Sequence, residues 1–251
     1  MKKRKTLLIV ISILIAILLT TVILVLCLKK EPVEVDADES INVEKLEMEF
    51  SDLFNNVENE YVGTLYNIEE EKSGKYKIEA QIPYIFIQTD IDNKINKEVS
   101  DLFVNELLKI MNESEKYTIL KIDYATSVSK NIVSLAIRCV LKEGNNAQRT
   151  IIKTYNYDME NQKEIGIMDV VPLEKEDNIQ NVINEEIEKQ IKKEETIAKQ
   201  GYNIYRRNKD SDIYILKNAT EFYIKDEILY IIYSYGNNSY TSEIDLIINK
   251  I

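Results

Sequence analysis

Apolar residues are spaced along this 251-residue chain in three rhythms. From Thr6 to Leu28 they run unbroken as TLLIVISILIAILLTTVILVLCL, with Ser and Thr the sole polar side chains. A helix of that length covers about 34 Å, enough for a hydrocarbon core of about 30 Å, so the run predicts a membrane-spanning anchor. Leu46, Phe50, Leu53 and Val57 then recur at the period of an amphipathic helix. A second helical stripe, Ile91, Ile95, Val99, Leu102, Phe103 and Ile110, follows a cap at Thr89 or Asp90. A third helix is expected over Asn178 to Lys199, with Ile179, Val182, Ile183, Ile187 and Ile191 on one side.

The third rhythm is alternation by two. YKIEAQIPYIFI (76–87), broken by Pro83, predicts two short strands or one edge strand. YTILKIDYATSVS, NIVSLAIRCVL and RTIIKTYNYDM predict three more, with Val133, Leu135, Ile137 and Cys139 on the core face of the second and Ser134, Ala136 and Arg138 opposite. The segment from Glu221 to Ile248 reads as three strands joined by KDE and GNNS. In it, Leu229, Ile231, Tyr233 and Tyr235 alternate with Ile228, Tyr230, Ile232 and Ser234, which predicts a strand buried on both faces. The fold class is therefore α+β: an N-terminal transmembrane helix, then an antiparallel-rich sheet with two main helices packed on one side. The expected organisation is a cytosolic stub (1–5), an anchor (6–28), an acidic tether with an amphipathic helix (29–60), a first α+β subdomain (61–130) and a second (131–251).

Charge adds an orientation. Residues 1–30 hold six of the 32 basic residues and none of the 43 acidic ones. The positive-inside bias then predicts a single-pass cell-membrane protein with a cytosolic amino terminus and an extracellular domain. A cleaved signal peptide and a lipoprotein signal ending at Cys27 fit less well, because Lys29 and Lys30 close the run and Leu26 precedes the cysteine. The acidic remainder disfavours nucleic acid as a partner and would speed encounter with a cationic one. The composition suggests an AT-rich Gram-positive source.

The available chemistry is narrow. The chain has no histidine, and its two cysteines fall in different parts, Cys27 and Cys139. Histidine-based catalysis, histidine or paired-thiolate zinc and an internal disulfide of the outer part are excluded. The expectation is no catalytic residue, no metal site and no cofactor. Asp158, Asp169, Glu243 and Asp245 lie on or beside predicted strands, so a carboxylate-only polysaccharide-modifying enzyme is a third-ranked alternative.

KTYNYDMENQKEIGIMDVV (153–171), with ATEFYIKDEILYIIYSYG about fifty residues on, resembles the extracytoplasmic domain of RsiV-type anti-sigma factors, also found ahead of the catalytic part of PdaC-type peptidoglycan deacetylases. The shared grammar is a strand ending in Tyr-Asp, a polar turn, Asp-Val-Val, a helix, then FYI and LYI strands. The five residues before the anchor are too few to hold a sigma factor, and a deacetylase's metal ligands are absent, so the resemblance implies the binding half alone. It implies recognition of lysozyme or a cell-wall ligand such as peptidoglycan fragments, and it points to the loop before the last strand. Tyr235, Gly236, Asn237, Asn238 and Tyr240 are the candidate ligand-binding residues. An envelope scaffold docking a partner membrane protein is the alternative.

Overall fold

The computed structural model describes residue 54 and residues 58–201, 204–237 and 240–251. They lie within one compact unit, Glu47–Ile251. The helix expected over Leu46 to Val57 lies outside the described residues, apart from Phe54.

Among the described residues, nine strands form two sheets. β1 (Val62–Lys72), β2 (Tyr76–Ile85), β3 (Thr118–Ser129), β4 (Ile132–Glu143), β5 (Arg149–Asp158) and β6 (Lys163–Glu164) succeed one another across the first. β7 (Phe222–Lys225), β8 (Ile228–Asn237) and β9 (Tyr240–Lys250) form the second. Neighbours are antiparallel except β2 and β3, which run parallel from Tyr76 opposite Thr118 to Ala80 opposite Ile122. Between them the chain passes through α1 (Asp90–Val99), a π turn (Ser100–Val104) and α2 (Asn105–Glu113), the crossover that parallel pairing requires. β2 runs through Pro83 as one strand. Its parallel pairing with β3 ends at Ala80 and β1 is irregular between Thr64 and Tyr66 opposite it, so no ladder bond awaits the missing N–H.

Ile95, Val99, Phe103, Leu107 and Ile110 bury the inner face of the α1–α2 segment. A spacing of four drifts about 40° per step around a helix of 3.6 residues per turn. The wider π turn takes up that drift, and Leu102, expected in the stripe, instead faces outward at 46 % exposure.

The core is layered. Helix residues such as Phe103 and Leu107 pack with Ile78, Ile122, Tyr124, Leu135 and Ile137 on one face of the six-stranded sheet. The other face, through Ala125, Ala136 and Ile152, packs on Tyr223, Tyr230 and Ile232 of the three-stranded sheet. Phe222, Ile224, Leu229, Ile231 and Tyr233 on the far side of that sheet pack with Ile179, Ile183 and Ile187 of α3 (Glu176–Lys199). β8 is thus buried on both faces, as its alternation predicts.

Two corrections to the expected fold follow. The single antiparallel-rich sheet is two stacked sheets, one of them mixed, with α1–α2 and α3 each laid on one face of its own sheet. And among the described residues no helix is long and apolar enough to cross a membrane. The longest, α3, interleaves its isoleucines with polar residues on every turn and with Glu and Lys from Glu185 onward. The single-pass topology and the cell-membrane localisation with an extracellular domain are corrected accordingly; the expected span, Thr6 to Leu28, lies outside the described residues.

Candidate functional site

The face of the six-stranded sheet that meets the second sheet is only half covered. Where it is covered, three buried polar side chains and the half-buried Ser127 take the place of a strand along the edge of β7. Phe222 N donates to Thr154 Oγ1 at 3.0 Å, and Asn156 Nδ2 donates to the Phe222 carbonyl at 2.8 Å. Ser134 Oγ accepts from Ile224 N at 3.4 Å, and Ser127 Oγ donates to the Ile224 carbonyl. Glu221 closes the row by accepting from Thr154 N and Oγ1 at 2.6 and 3.0 Å. These polar groups are satisfied internally and hold the layers in register.

Among the described residues, nothing covers the same face over β1, β2 and β3. It forms an open concavity of about 340 Å³ whose side chains are Asn67 and Glu69 of β1, Glu79 and Gln81 of β2, and Lys121 and Asp123 of β3. Alternation by two produces it: Ile78, Ala80, Ile82, Leu120 and Ile122 point to the α1–α2 core, leaving their polar neighbours on the opposite face. Register aligns Asn67 with Gln81, Glu69 with Glu79, and Glu79 with Lys121. Asp123 forms a fixed wall, 3 % exposed, held by Arg138 Nε at 2.8 Å and Nη2 at 2.6 Å. The Arg138 guanidinium in turn lies 4.4 Å from the centre of the Phe54 ring. Lys77 Nζ donates to Glu79 at 2.7 Å, and that hydrogen bond holds the Glu79 carboxyl below its ordinary range. Lys121 Nζ stands 3.7 Å from an Asp123 oxygen already bonded to Arg138. Among the described residues, Glu69 and the Asn67 and Gln81 amides have no side-chain partner. The sequence carried a signal for this row, because Lys77, Glu79 and Gln81 alternate with Ile78, Ala80 and Ile82.

A second polar cluster is fully enclosed. Arg207 sits between Glu194 of α3 and Asp245 of β9, with side chains 2 %, 8 % and 1 % exposed. Its Nε is 2.8 Å from Asp245 Oδ2 and its Nη2 is 2.8 Å from Oδ1; Nη1 and the backbone N–H bond the Glu194 carboxylate. Burial works against the Arg207 charge, but bonding to Asp245 and then Glu194 outweighs it and raises the pKa. Tyr233, opposite Asp245 in the ladder, packs edge-on to Tyr214 with ring centres 5.1 Å apart, and burial raises both phenols. Arg207 falls in YNIYRRNKDSDIYILK, a stretch with no legible period.

The expected ligand loop extends from this cluster. Beyond Tyr233 opposite Asp245, the backbone pairs Tyr235 with Glu243 and Asn237 with Tyr240, and the register shifts between Tyr235 and Asn237. Gly236 lies at that shift in β8, while Asn238 lies outside the described residues.

Other chemistry singled out by the sequence is locally committed. Asp158 accepts from the backbone of Glu160 and Asn161 in a turn, and bonding by Asn161 lowers its pKa. Asp169 accepts from Lys163 Nζ at 2.9 Å and from Gly166 N at 2.8 Å. Cys139 is a free thiol buried in the first core. Among the described residues no group of three or more His, Cys, Asp or Glu side chains stands where it could hold a metal ion.

The described residues thus form an α+β domain of two stacked sheets. No protein-family model matches the chain, and no curated protein matches it. Among solved structures it is similar to a DUF3298 family protein from Pseudomonas aeruginosa PAO1, with 9 % identity and a TM-score of 0.42 over 74 % of this chain and 87 % of that one. It is also similar to a DUF3298 member from Bacteroides fragilis NCTC 9343, with 12 % identity and a TM-score of 0.36 over 67 % and 79 %. Of the resemblance drawn from the sequence, what the solved structures show is a distant and partial similarity to DUF3298 proteins. The expected function as a membrane-anchored envelope sensor, with a membrane scaffold as its alternative, is corrected with the topology. The expected partners, lysozyme or peptidoglycan fragments met by a membrane-held domain, are corrected with it, since among the described residues no helix is long and apolar enough to cross a membrane.

Proposed function

We propose that the described unit is a binding domain that performs no covalent chemistry and takes a small polar ligand in the concavity over β1, β2 and β3. The observation that carries this reading is the half-face itself, which no described residue covers. Its volume, about 340 Å³, falls within the range of small-molecule sites. Its wall is rigid, because Asp123 is buried and bidentate to Arg138, while Glu69, Asn67 and Gln81 are left with unspent hydrogen-bonding capacity. The absence of a catalytic role is supported by the commitment of the other candidate groups: Cys139 is enclosed, Asp158 and Asp169 serve turns, and Asp245 neutralises Arg207. Amide-shift mapping of the isotope-labelled full chain against a set of small polar fragments tests the reading. Shifts clustered on 67–69, 79–81 and 121–123 are expected, and fragments that bind elsewhere or not at all would overturn it.

A second contact is proposed at Tyr235, Gly236, Asn237, Asn238 and Tyr240. The register shift between Tyr235 and Asn237 favours it, since irregularities of this kind re-aim side chains at strand ends and next to binding sites. In the same titration these amides would shift together with the concavity or on their own; if no fragment moves them, the second contact is withdrawn.

A further inference from the structure

The charges of the concavity are arranged in a line that selects a ligand class. Glu69, Glu79 and Lys121 occupy one row across three strands. Glu69 faces Glu79 directly, an arrangement of like charges that costs stability in an antiparallel pair. Lys77 relieves the Glu79 side at 2.7 Å, and nothing among the described residues relieves Glu69. At the other end of the row, Lys121 faces Glu79 across the ladder and stands 3.7 Å from Asp123, each of whose oxygens already accepts a bond from Arg138, so no described carboxylate holds the Lys121 ammonium at close hydrogen-bond distance. The row therefore ends in an unspent anion on β1 and a loosely held cation on β3. In the adjacent row the amides of Asn67 and Gln81 offer both donors and acceptors between them.

Resting on the reading of the concavity as a binding site, we infer that its ligand is a short zwitterion of dipeptide type. It lies across the strands with its ammonium at Glu69, its carboxylate at Lys121 and its amide over Glu79, beside the row of Asn67 and Gln81. The scale fits. Two strand spacings separate the backbones of β1 and β3 by about 10 Å, and an extended dipeptide is about 7 Å long, so hydrogen bonds from side chains at each end close the difference. A lone amino acid leaves one end unfilled. A dianion meets Glu69 and Glu79, and a dication meets Lys121 and Lys77.

The test is calorimetry and amide-shift mapping of the full chain with three probes: glycylglycine, N-acetylglycylglycine, which lacks the ammonium, and glycylglycinamide, which lacks the carboxylate. Glycylglycine is expected to shift residues 67–69, 79–81 and 121–123, and each modified probe to bind about tenfold more weakly, the scale of one charge-assisted hydrogen bond. Glu69→Gln is expected to abolish the discrimination against the acetylated probe, and Lys121→Met that against the amide. Both side chains are solvent-facing, so the variants fold, and unchanged shift patterns elsewhere verify it. Equal binding of all three probes in the concavity would overturn the zwitterion while leaving the site. Failure of all three to shift these residues, with other polar fragments binding there, would also overturn it. If nothing shifts these residues, the site falls with it.

Discussion

The side-chain amide of Asn156 donates to the carbonyl of Phe222 at 2.8 Å, joining β5 near its C-terminal end to the first residue of β7 across the gap between the sheets. The Asn156 oxygen also accepts from Ser134 Oγ at 2.6 Å, and that hydroxyl accepts from Ile224 N. One buried amide thus anchors a side-chain ladder that does the work of a strand.

Replacing Asn156 with leucine is expected to destabilise the domain by about 2–4 kcal/mol, because the Phe222 carbonyl loses its partner, Ser134 loses an acceptor, and each unsatisfied buried group costs about 1–3 kcal/mol. Urea unfolding measures this. A loss below about 0.5 kcal/mol would mean that the ladder is dispensable.

Much of this architecture was legible in the chain, and the places where it was not have physical reasons. The alternation in β4 identified Val133, Leu135, Ile137 and Cys139 as core, and all four are buried. The opposite side, Ser134 and Ala136, is buried just as fully under β7, with Asn156 of β5 beside it. Period-two patterning marks a polar face but does not reveal whether water or the edge of a distant strand satisfies it. Small residues such as Ala125 and Ala136 were the available hint that another sheet approaches. β8 was easier, since apolar residues on both of its faces require cover on both. The Arg207 cluster left no trace because its members come from α3, an irregular segment and β9, and no local period links them. At the concavity the alternation was visible in KIEAQ, but that the second sheet stops short of it is a matter of tertiary placement that no local pattern carries.

Arg207→Met is expected to cost about 3–5 kcal/mol, since it leaves Glu194 and Asp245 as uncompensated charges in the interior. Replacing all three with apolar residues of similar volume removes the charges together, and the triple variant is expected to be more stable than the single one. Thermal or denaturant unfolding of both decides it; a triple variant weaker than Arg207→Met would show that the carboxylates have other indispensable partners.

Cys139 predicts a pH dependence. Burial pushes its thiol from 9.0 up to about 12, so between those values the unfolded chain ionises and the folded one does not. The unfolded state then binds fewer protons. Stability contributed by keeping the thiol neutral is intact below pH 9 and falls by about 1.4 kcal/mol per pH unit until pH 12. Cys139→Ala is expected to flatten the alkaline limb of the stability curve while costing stability at neutral pH through the lost packing. With Cys27 replaced by serine, iodoacetamide at pH 8 is expected to label the unfolded chain rapidly and the native one at the rate of unfolding. Fast native labelling would contradict the buried, neutral thiol.

Two tyrosines predict gains rather than losses. The hydroxyls of Tyr157 and Tyr233 are buried, and among the described residues neither has a hydrogen-bond partner. Their rings are nonetheless well placed, Tyr157 in the first core and Tyr233 edge-on to Tyr214 beneath α3. A buried hydroxyl without a partner costs about 1–3 kcal/mol relative to water, whereas phenylalanine keeps the ring and sheds the penalty. Tyr157→Phe and Tyr233→Phe are therefore expected to hold or raise stability, by up to about 1 kcal/mol each once the small void left by the oxygen is counted. Equilibrium unfolding of the two single variants and the double decides the matter. The sites lie in separate cores, so their effects should add. If Tyr233→Phe loses more than about 1 kcal/mol while Tyr157→Phe does not, the Tyr233 hydroxyl has a partner in the Arg207 cluster.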